Sequence, residues 1–377
     1  MSKRFIWSLV GALAVVSLLI AGCAPEPTPT TPTTPTTPTT PTTPTTPTTP
    51  SQPAAKTYNL VGQSHAGGNT QQHVSLVRVA KNIEAATGGR VKMATEIGGG
   101  IAPATKEFDA VNTGTLDYAV TCFMYWVDKM PQCGLFTMVS GGMSPMEALA
   151  WFRSGGGYDL AYRMVDSVGM DVQMVRNGGW MGPPEVFLQT NVPLTKAGDI
   201  NGLKVRAAGD GAEILAKLGA STVMMPAGDV FEAMQRGVVD AFEVSMPTLN
   251  WDLGLQDAAK YMYLSGARQP YEYNPFIINK TLWNGMPDDI KAIITEVNEA
   301  ETIRAYTEIL VMDLASLQKF RDYGVIVEKL PVALEDEYLA AAKAFYAQKT
   351  ASDPFAKEIL DSYWKFQTDI RAVWNRV

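Results

Sequence analysis

The chain has 377 residues, of which 46% are apolar and 18% charged, and a formal net charge of −7. That composition is globular rather than disordered or collagenous. An acidic chain without a long basic run is poorly suited to bind nucleic acid, so no nucleic-acid partner is expected. Two histidines and three cysteines exclude most zinc sites and any disulfide-rich scaffold.

Residues 1–22 read as an export signal. Lys3 and Arg4 are followed by the almost wholly apolar stretch Phe5–Ile20, which is too short for a comfortable membrane span. It runs into Leu18-Leu19-Ile20-Ala21-Gly22-Cys23, small residues before a cysteine, the pattern of a bacterial lipoprotein signal. Cys23 is therefore expected to carry lipid and hold the protein outside the cytoplasm on a membrane surface, in the periplasm or on the outer face of the cell membrane. Residues 25–53 contain 11 of the 24 prolines and otherwise mostly threonine. Proline at every third position blocks helix and sheet and favours polyproline II. At ~3.1 Å per residue this tract would reach roughly 90 Å when extended. Residues 23–56 thus read as a lipidated tether, and about 320 residues remain for two folded domains.

From Tyr58 on, strand and helix patterns alternate. Tyr58–Ser64, Val91–Ile97 and Leu116–Cys122 read as strands. Thr70–Thr87 and Pro103–Thr113 read as the helices between them, the first stopped by Gly88-Gly89. This βαβαβ start predicts a largely parallel sheet. Asp171–Val175 reads as a further strand. A second such unit spans Lys204–Ala208, Ala212–Leu218, Thr222–Met225, Asp229–Arg236 and Asp240–Ser245. Phe108 to Asp117 and Phe231 to Asp240 share one pattern: a short helix, a glycine (Gly114, Gly237), then an aspartate opening a strand. Two copies predict two similar α/β lobes, at 57–177 (with part of 265–377 returning to it) and 178–264. Ligand would sit between them at the carboxyl ends of the strands. Asp288–Phe320 lacks Gly and Pro and carries helix-period apolar residues. A helix over 287–324 would be long enough to brace both lobes, with 325–377 supplying a last strand and two helices.

Several motifs carry little. Gly209-Asp210-Gly211 follows a strand, but Ile214 stands where a dinucleotide loop needs its third glycine. Ser316 and Lys319 match Ser-x-x-Lys inside the long helix, with no Lys-Thr-Gly. Cys122 and Cys133 read equally as a disulfide or as two buried thiols. The informative residues sit at predicted strand ends: His65, Tyr125 and Trp126, Arg176 and Asn177 before Gly178-Gly179-Trp180, Arg206, and Glu243. A guanidinium at Arg206 could grip a carboxylate with two parallel hydrogen bonds.

Gly202-Leu203-Lys204-Val205-Arg206, Leu218-Gly219-Ala220, Pro226 to Asp229 and Ala233 to Glu243 resemble the substrate-binding proteins of TRAP (tripartite ATP-independent periplasmic) transporters. The resemblance covers nearly all of residues 57–377. Gly178-Gly179-Trp180, Trp151-Phe152 with Gly155-Gly156-Gly157, and Lys260 to Tyr263 resemble the branch that binds 2-oxo acids and other small monocarboxylates. The resemblance implies a two-lobed clamshell with a long spanning helix. It implies Arg206 on the ligand carboxylate, and Glu243 helping to hold a calcium or sodium ion that bridges to the ligand. It also implies delivery to a membrane permease, and in some relatives a homodimer through the long helix. Three departures stand out. Arg176 replaces the branch's metal-binding glutamine, Val244 replaces an aromatic residue, and Ser265 to Tyr271 replaces a Trp-rich loop. A fixed charge at Arg176 would repel a cation, so the expectation is no cofactor, with Arg176 in the ion's place beside Glu243 or the ligand. The alternatives are a receptor that signals to a membrane protein, and an anchored hydrolase or lyase using Glu243 as base.

Overall fold

A computed structural model of the protein describes residues 56–374. The export signal, Cys23 and the Pro/Thr tract lie outside the described residues. In chain order the strands are β1 (Tyr58–Ser64), β2 (Val91–Glu96), β3 (Tyr118–Val120), β4 (Val172–Gly182), β5 (Val186–Thr190), β6 (Lys204–Arg206), β7 (Ser221–Val223), β8 (Ala241–Phe242), β9 (Tyr261–Leu264), β10 (Glu272–Asn279) and β11 (Ile326–Lys329). The helices are α1 (Gln71–Ala86), α2 (Glu107–Asn112), α3 (Pro145–Ser154), α4 (Gly157–Ser167), α5 (Gly209–Lys217), α6 (Val230–Gln235), α7 (Pro247–Asp252), α8 (Lys280–Asn284), α9 (Asp288–Tyr323), α10 (Val332–Ser352) and α11 (Pro354–Trp374).

Two sheets result, ordered β2-β1-β3-β10-β4 and β11-β9-β5-β8-β6-β7. Each holds a parallel trio whose middle strand comes first in sequence, followed by an antiparallel neighbour. The duplicated sequence pattern has one physical cause in both. Gly114 and Gly237 end their helices at φ +74° and +66°, a region open to glycine. The aspartate three residues on then binds the neighbouring strand twice. Asp117 accepts from Val61 N–H through its carboxylate at 2.7 Å and donates its own N–H to Val61 O at 2.7 Å. Asp240 does the same with Lys204, at 3.0 and 2.7 Å.

The chain crosses between sheets at Pro183-Pro184-Glu185 and again at Ser265–Tyr271. The first crossover comes later than the sequence suggests, because β4 continues through Gly178-Gly179-Trp180 to Gly182, with Trp180 opposite Asn274 of β10. Gly179 is required there. Its φ is +137°, and a Cβ would lie 2.2 Å from the Asn274 carbonyl oxygen. The register of β10 slips between Pro275 and Ile277 at the same place.

The helix α9 has 36 residues, about 54 Å at 1.5 Å per residue, and Gly324 closes it in the left-handed region. Its buried face is partly polar, and three of its polar residues hold neighbouring segments. Thr302 Oγ1 donates to Gly179 O at 2.9 Å. Glu301 accepts from Ser75 at 3.0 Å and pairs with Arg78 at 2.6 Å. Asp313 accepts from Thr248 N–H and Oγ1 at 2.9 and 2.6 Å. The first two hold the first sheet's lobe and the third holds the other, so α9 braces both.

Glu107, at the start of α2, is wholly buried and accepts from Gln63 Nε2 at 3.0 Å. Burial pushes its carboxyl up from 4.5 to about 8. Between those values the native state keeps a proton that the unfolded chain has lost, so folding stability falls as pH rises across that window. Glu107→Gln keeps an acceptor for Gln63 and cannot ionise. It is expected to flatten the decline in unfolding temperature between pH 5 and 8. Equal declines in the variant and the wild type, read by scanning calorimetry, would contradict this.

Candidate ligand-binding cleft

The parallel strands of both sheets end at one cleft of about 410 Å³. One wall carries His65 after β1 and Cys122, Met124 and Tyr125 after β3. The other carries Arg206 at the end of β6 and Glu243 just after β8. The crossovers contribute Glu185 and Gln269, and Glu272 opens β10. This is where an α/β sheet places its ligands, because loops leave the carboxyl ends of parallel strands there.

Arg206 is buried, and most of its guanidinium is committed. Nε donates to Met225 O at 3.0 Å, and Nη1 donates to the Glu243 carbonyl oxygen. Nη2 meets the Met224 sulfur at 3.8 Å and no oxygen among the described residues. Glu243 is 3% exposed. Its Oε1 accepts from Ala208 N–H at 2.6 Å, satisfying a donor at the start of α5, and lies 3.5 Å from Arg206 Nη1. Its Oε2 lies 3.1 Å from Nη1 of Arg268. Arg268 is also 3% exposed and reaches Glu185 Oε2 with Nη2 at 2.5 Å. Burial alone would lower the Arg268 pKa, but Glu243 and Glu185 together outweigh it and hold it above its ordinary value. Burial raises the Glu185 carboxyl against the pull of Arg268, helped by Glu243 and Glu272. The Glu272 carboxyl is raised by burial too.

His65 shares its Nδ1 with Val120 O at 3.2 Å, which leaves Nε2 for the cleft. Burial lowers its pKa to about 4, so the ring is neutral near pH 7. Its ring sits edge-on to that of Tyr125, 6.0 Å away. Cys122 lines the cleft and Cys133 is buried; both are free thiols. Burial pushes the Cys122 thiol far above its ordinary range, so it stays protonated.

Four residues expected at the cleft lie elsewhere. Trp126 is buried between Phe108 and Phe123, with ring centroids at 4.5 and 5.1 Å. Trp180 is 1% exposed in the core around Val175 and Met246. Asn177 donates to Glu299 of α9 at 3.1 Å. Arg176 points to the outer side of β4, where it pairs with Asp159 at 2.7 Å and lies over the Tyr158 ring at 4.1 Å. It cannot replace an ion beside Glu243. Side chains alternate across a strand, and Arg176 shares with Val172 and Met174 the side of β4 that α4 covers. Arg176→Gln is therefore expected to leave ligand affinity within about twofold of wild type, as for a surface change away from the site. A tenfold loss by calorimetry would return Arg176 to the site.

Sequence reasoning missed Glu185, Arg268, Gln269 and Glu272. The available signal was charge at apolar junctions: Glu185 between Pro183-Pro184 and Val186-Phe187-Leu188, and Arg268 between two tyrosine-rich strands. A larger groove of about 520 Å³ lies between α10 and α11. Its charged lining residues, Lys343 and Asp361, are both exposed, and its buried polar residues Ser140 and Tyr346 bond each other, so it lacks a buried charged anchor.

The model of the family described as "Bacterial extracellular solute-binding protein, family 7" matches residues 62–353, and the chain belongs to that family. It is 25% identical over 309 residues to the monocarboxylate 2-oxoacid-binding periplasmic protein of Nostoc sp., covering 79% of this chain and 81% of that protein. A TRAP periplasmic solute-binding protein from Colwellia psychrerythraea, solved with calcium and pyruvate bound, is 26% identical with a TM-score of 0.77. Its counterpart from Pseudoalteromonas atlantica, with sodium and pyruvate bound, is 25% identical with a TM-score of 0.76. Each match covers 84% of this chain and 96% of the solved one. The expected TRAP-type solute receptor with two α/β lobes agrees with this membership.

The carboxylates beside Arg206 are already engaged by a fixed cation. Glu185 and Glu243 each already give an oxygen to Arg268. No group of three or more His, Cys, Asp or Glu side chains is placed to hold an ion among the described residues.

Proposed function

We propose that the chain is an extracytoplasmic receptor that captures a small monocarboxylate of the 2-oxo acid class and hands it to a TRAP permease. The observation that carries this reading is buried Arg206 lining a cleft between two lobes, with Nη2 bonded among the described residues to no oxygen, only to the Met224 sulfur. The carboxylate would meet Arg206. Tyr125 and the neutral ring of His65 would face the rest of the ligand. Met124, Met138 and Val244 line a space suited to a short carbon chain. Binding and closure suffice, since a ligand that contacts both lobes favours the closed arrangement. No chemistry on the ligand is needed, and the protonated Cys122 thiol is a poor nucleophile. Acylation of Cys23 would keep the receptor at the membrane, with the Pro/Thr tract as spacer. The exposed Leu310, Val311 and Leu314 on α9 offer a face to a second copy, which sedimentation would read.

A thermal-shift screen against pyruvate, longer 2-oxo acids and dicarboxylates tests the reading. A true ligand at a hundred times its Kd adds about 2.7 kcal/mol, a rise of several degrees. A screen in which no organic acid shifts the transition would overturn it.

A further inference from the structure

Arg268 places a fixed charge at a point where a bound cation would otherwise be useful. Its guanidinium lies between carboxylates from two separate segments. One is Glu185 in the first crossover and the other is Glu243 behind β8, at 2.5 and 3.1 Å. Nη2 also donates to Val186 O at 3.1 Å, which fixes the head group to the start of β5. All three charged residues are at least nine-tenths buried. An anion entering this cleft would otherwise face Glu185, Glu243 and Glu272 with Arg206 alone to offset them. Two neighbours solved with pyruvate also hold a calcium or a sodium ion.

We propose that Arg268 does with a fixed guanidinium what a bound cation does for such a site. It neutralises Glu185 and Glu243, so that the cleft takes its carboxylate ligand without a metal ion. This rests on the receptor reading above for the ligand, but not for the metal. Arg268 takes one oxygen of Glu185 and one of Glu243, and its charge repels a second cation at close range. It lies in the second crossover, so the same ion pairs tie two of the three connections between the lobes together.

The full chain, treated with chelator and exchanged into sodium-free buffer, is titrated with pyruvate by calorimetry, then again with calcium and with sodium added. Affinity is expected to agree within twofold in all three buffers. Arg268→Gln is expected to lose at least tenfold in chelator and to recover with calcium. Arg268→Lys keeps the charge and should remain independent of metal; it serves if the glutamine variant fails to fold. Elemental analysis of ligand-free protein after dialysis against calcium is the second readout. Wild type and the lysine variant are expected to take up none, and the glutamine variant about one equivalent. A tenfold loss of wild-type affinity on chelation, or stoichiometric calcium in the wild type, overturns the proposal. If pyruvate binds in no buffer, the receptor reading fails for that ligand, and calcium uptake alone still decides the role of Arg268.

Discussion

Arg206→Ala is expected to weaken binding of the organic acid by at least about 2 kcal/mol, roughly thirtyfold, the usual loss when one side of a buried charge pair is removed. The guanidinium is positioned before any ligand arrives. Met225 O and the Glu243 carbonyl oxygen fix Nε and Nη1, so that Nη2 is held beside Met224, which lines the cleft. Little side-chain entropy remains to be lost on binding. Arg206→Lys is expected to fail nearly as badly. A lysine has one nitrogen and cannot bind both carbonyl oxygens and present a second donor at a fixed angle. Calorimetric titration of both variants, with circular dichroism to confirm folding, checks this. Wild-type affinity in either variant would remove Arg206 from the site.

Glu243→Ala has the largest expected effect on stability. The carboxylate lies between two buried guanidinium groups and accepts the Ala208 N–H. Its removal leaves Arg206 without a facing anion, Arg268 with Glu185 alone, and a donor at the start of α5 without its partner. Breaking one side of a buried ion pair costs about 3–5 kcal/mol. For a chain of this size the unfolding temperature should drop by roughly 5–10 °C. Glu243→Gln keeps an acceptor for Ala208 and should lose less. Scanning calorimetry on the three proteins gives the order. An alanine variant as stable as wild type would show that Glu243 contributes only to the ligand.

The fold was legible where local chemistry repeats. Gly114 with Asp117, and Gly237 with Asp240, mark the same turn and the same pair of backbone contacts in both sheets, so two α/β lobes follow from short segments. Arg206 and Glu243 were legible for a related reason, since each closes or follows a parallel strand. The Gly178-Gly179-Trp180 segment misled because its glycines answer to a neighbouring strand and not to a ligand. The close approach of Gly179 to Asn274 keeps β4 in the first sheet. Regular alternation is broken between Arg176 and Trp180, where Asn177 and Gly179 take φ +52° and +137°, so Arg176 stays with Asp159 and Tyr158 while Trp180 is sealed in the core. Glu185 and Arg268 stand 83 residues apart in sequence. Only the two crossovers bring them together, and no local spacing encodes that meeting.

The most direct test of the receptor reading is mass spectrometry of what the purified protein carries and releases. Gently desalted protein, compared before and after denaturation, is expected to yield about one small monocarboxylate per chain. The same compound should be recovered chemically unchanged after prolonged incubation with the refolded protein, and Arg206→Ala should carry none. Recovery of a cleaved or otherwise altered compound would contradict a receptor and favour an enzyme, and a ligand without a carboxylate would contradict the role of Arg206.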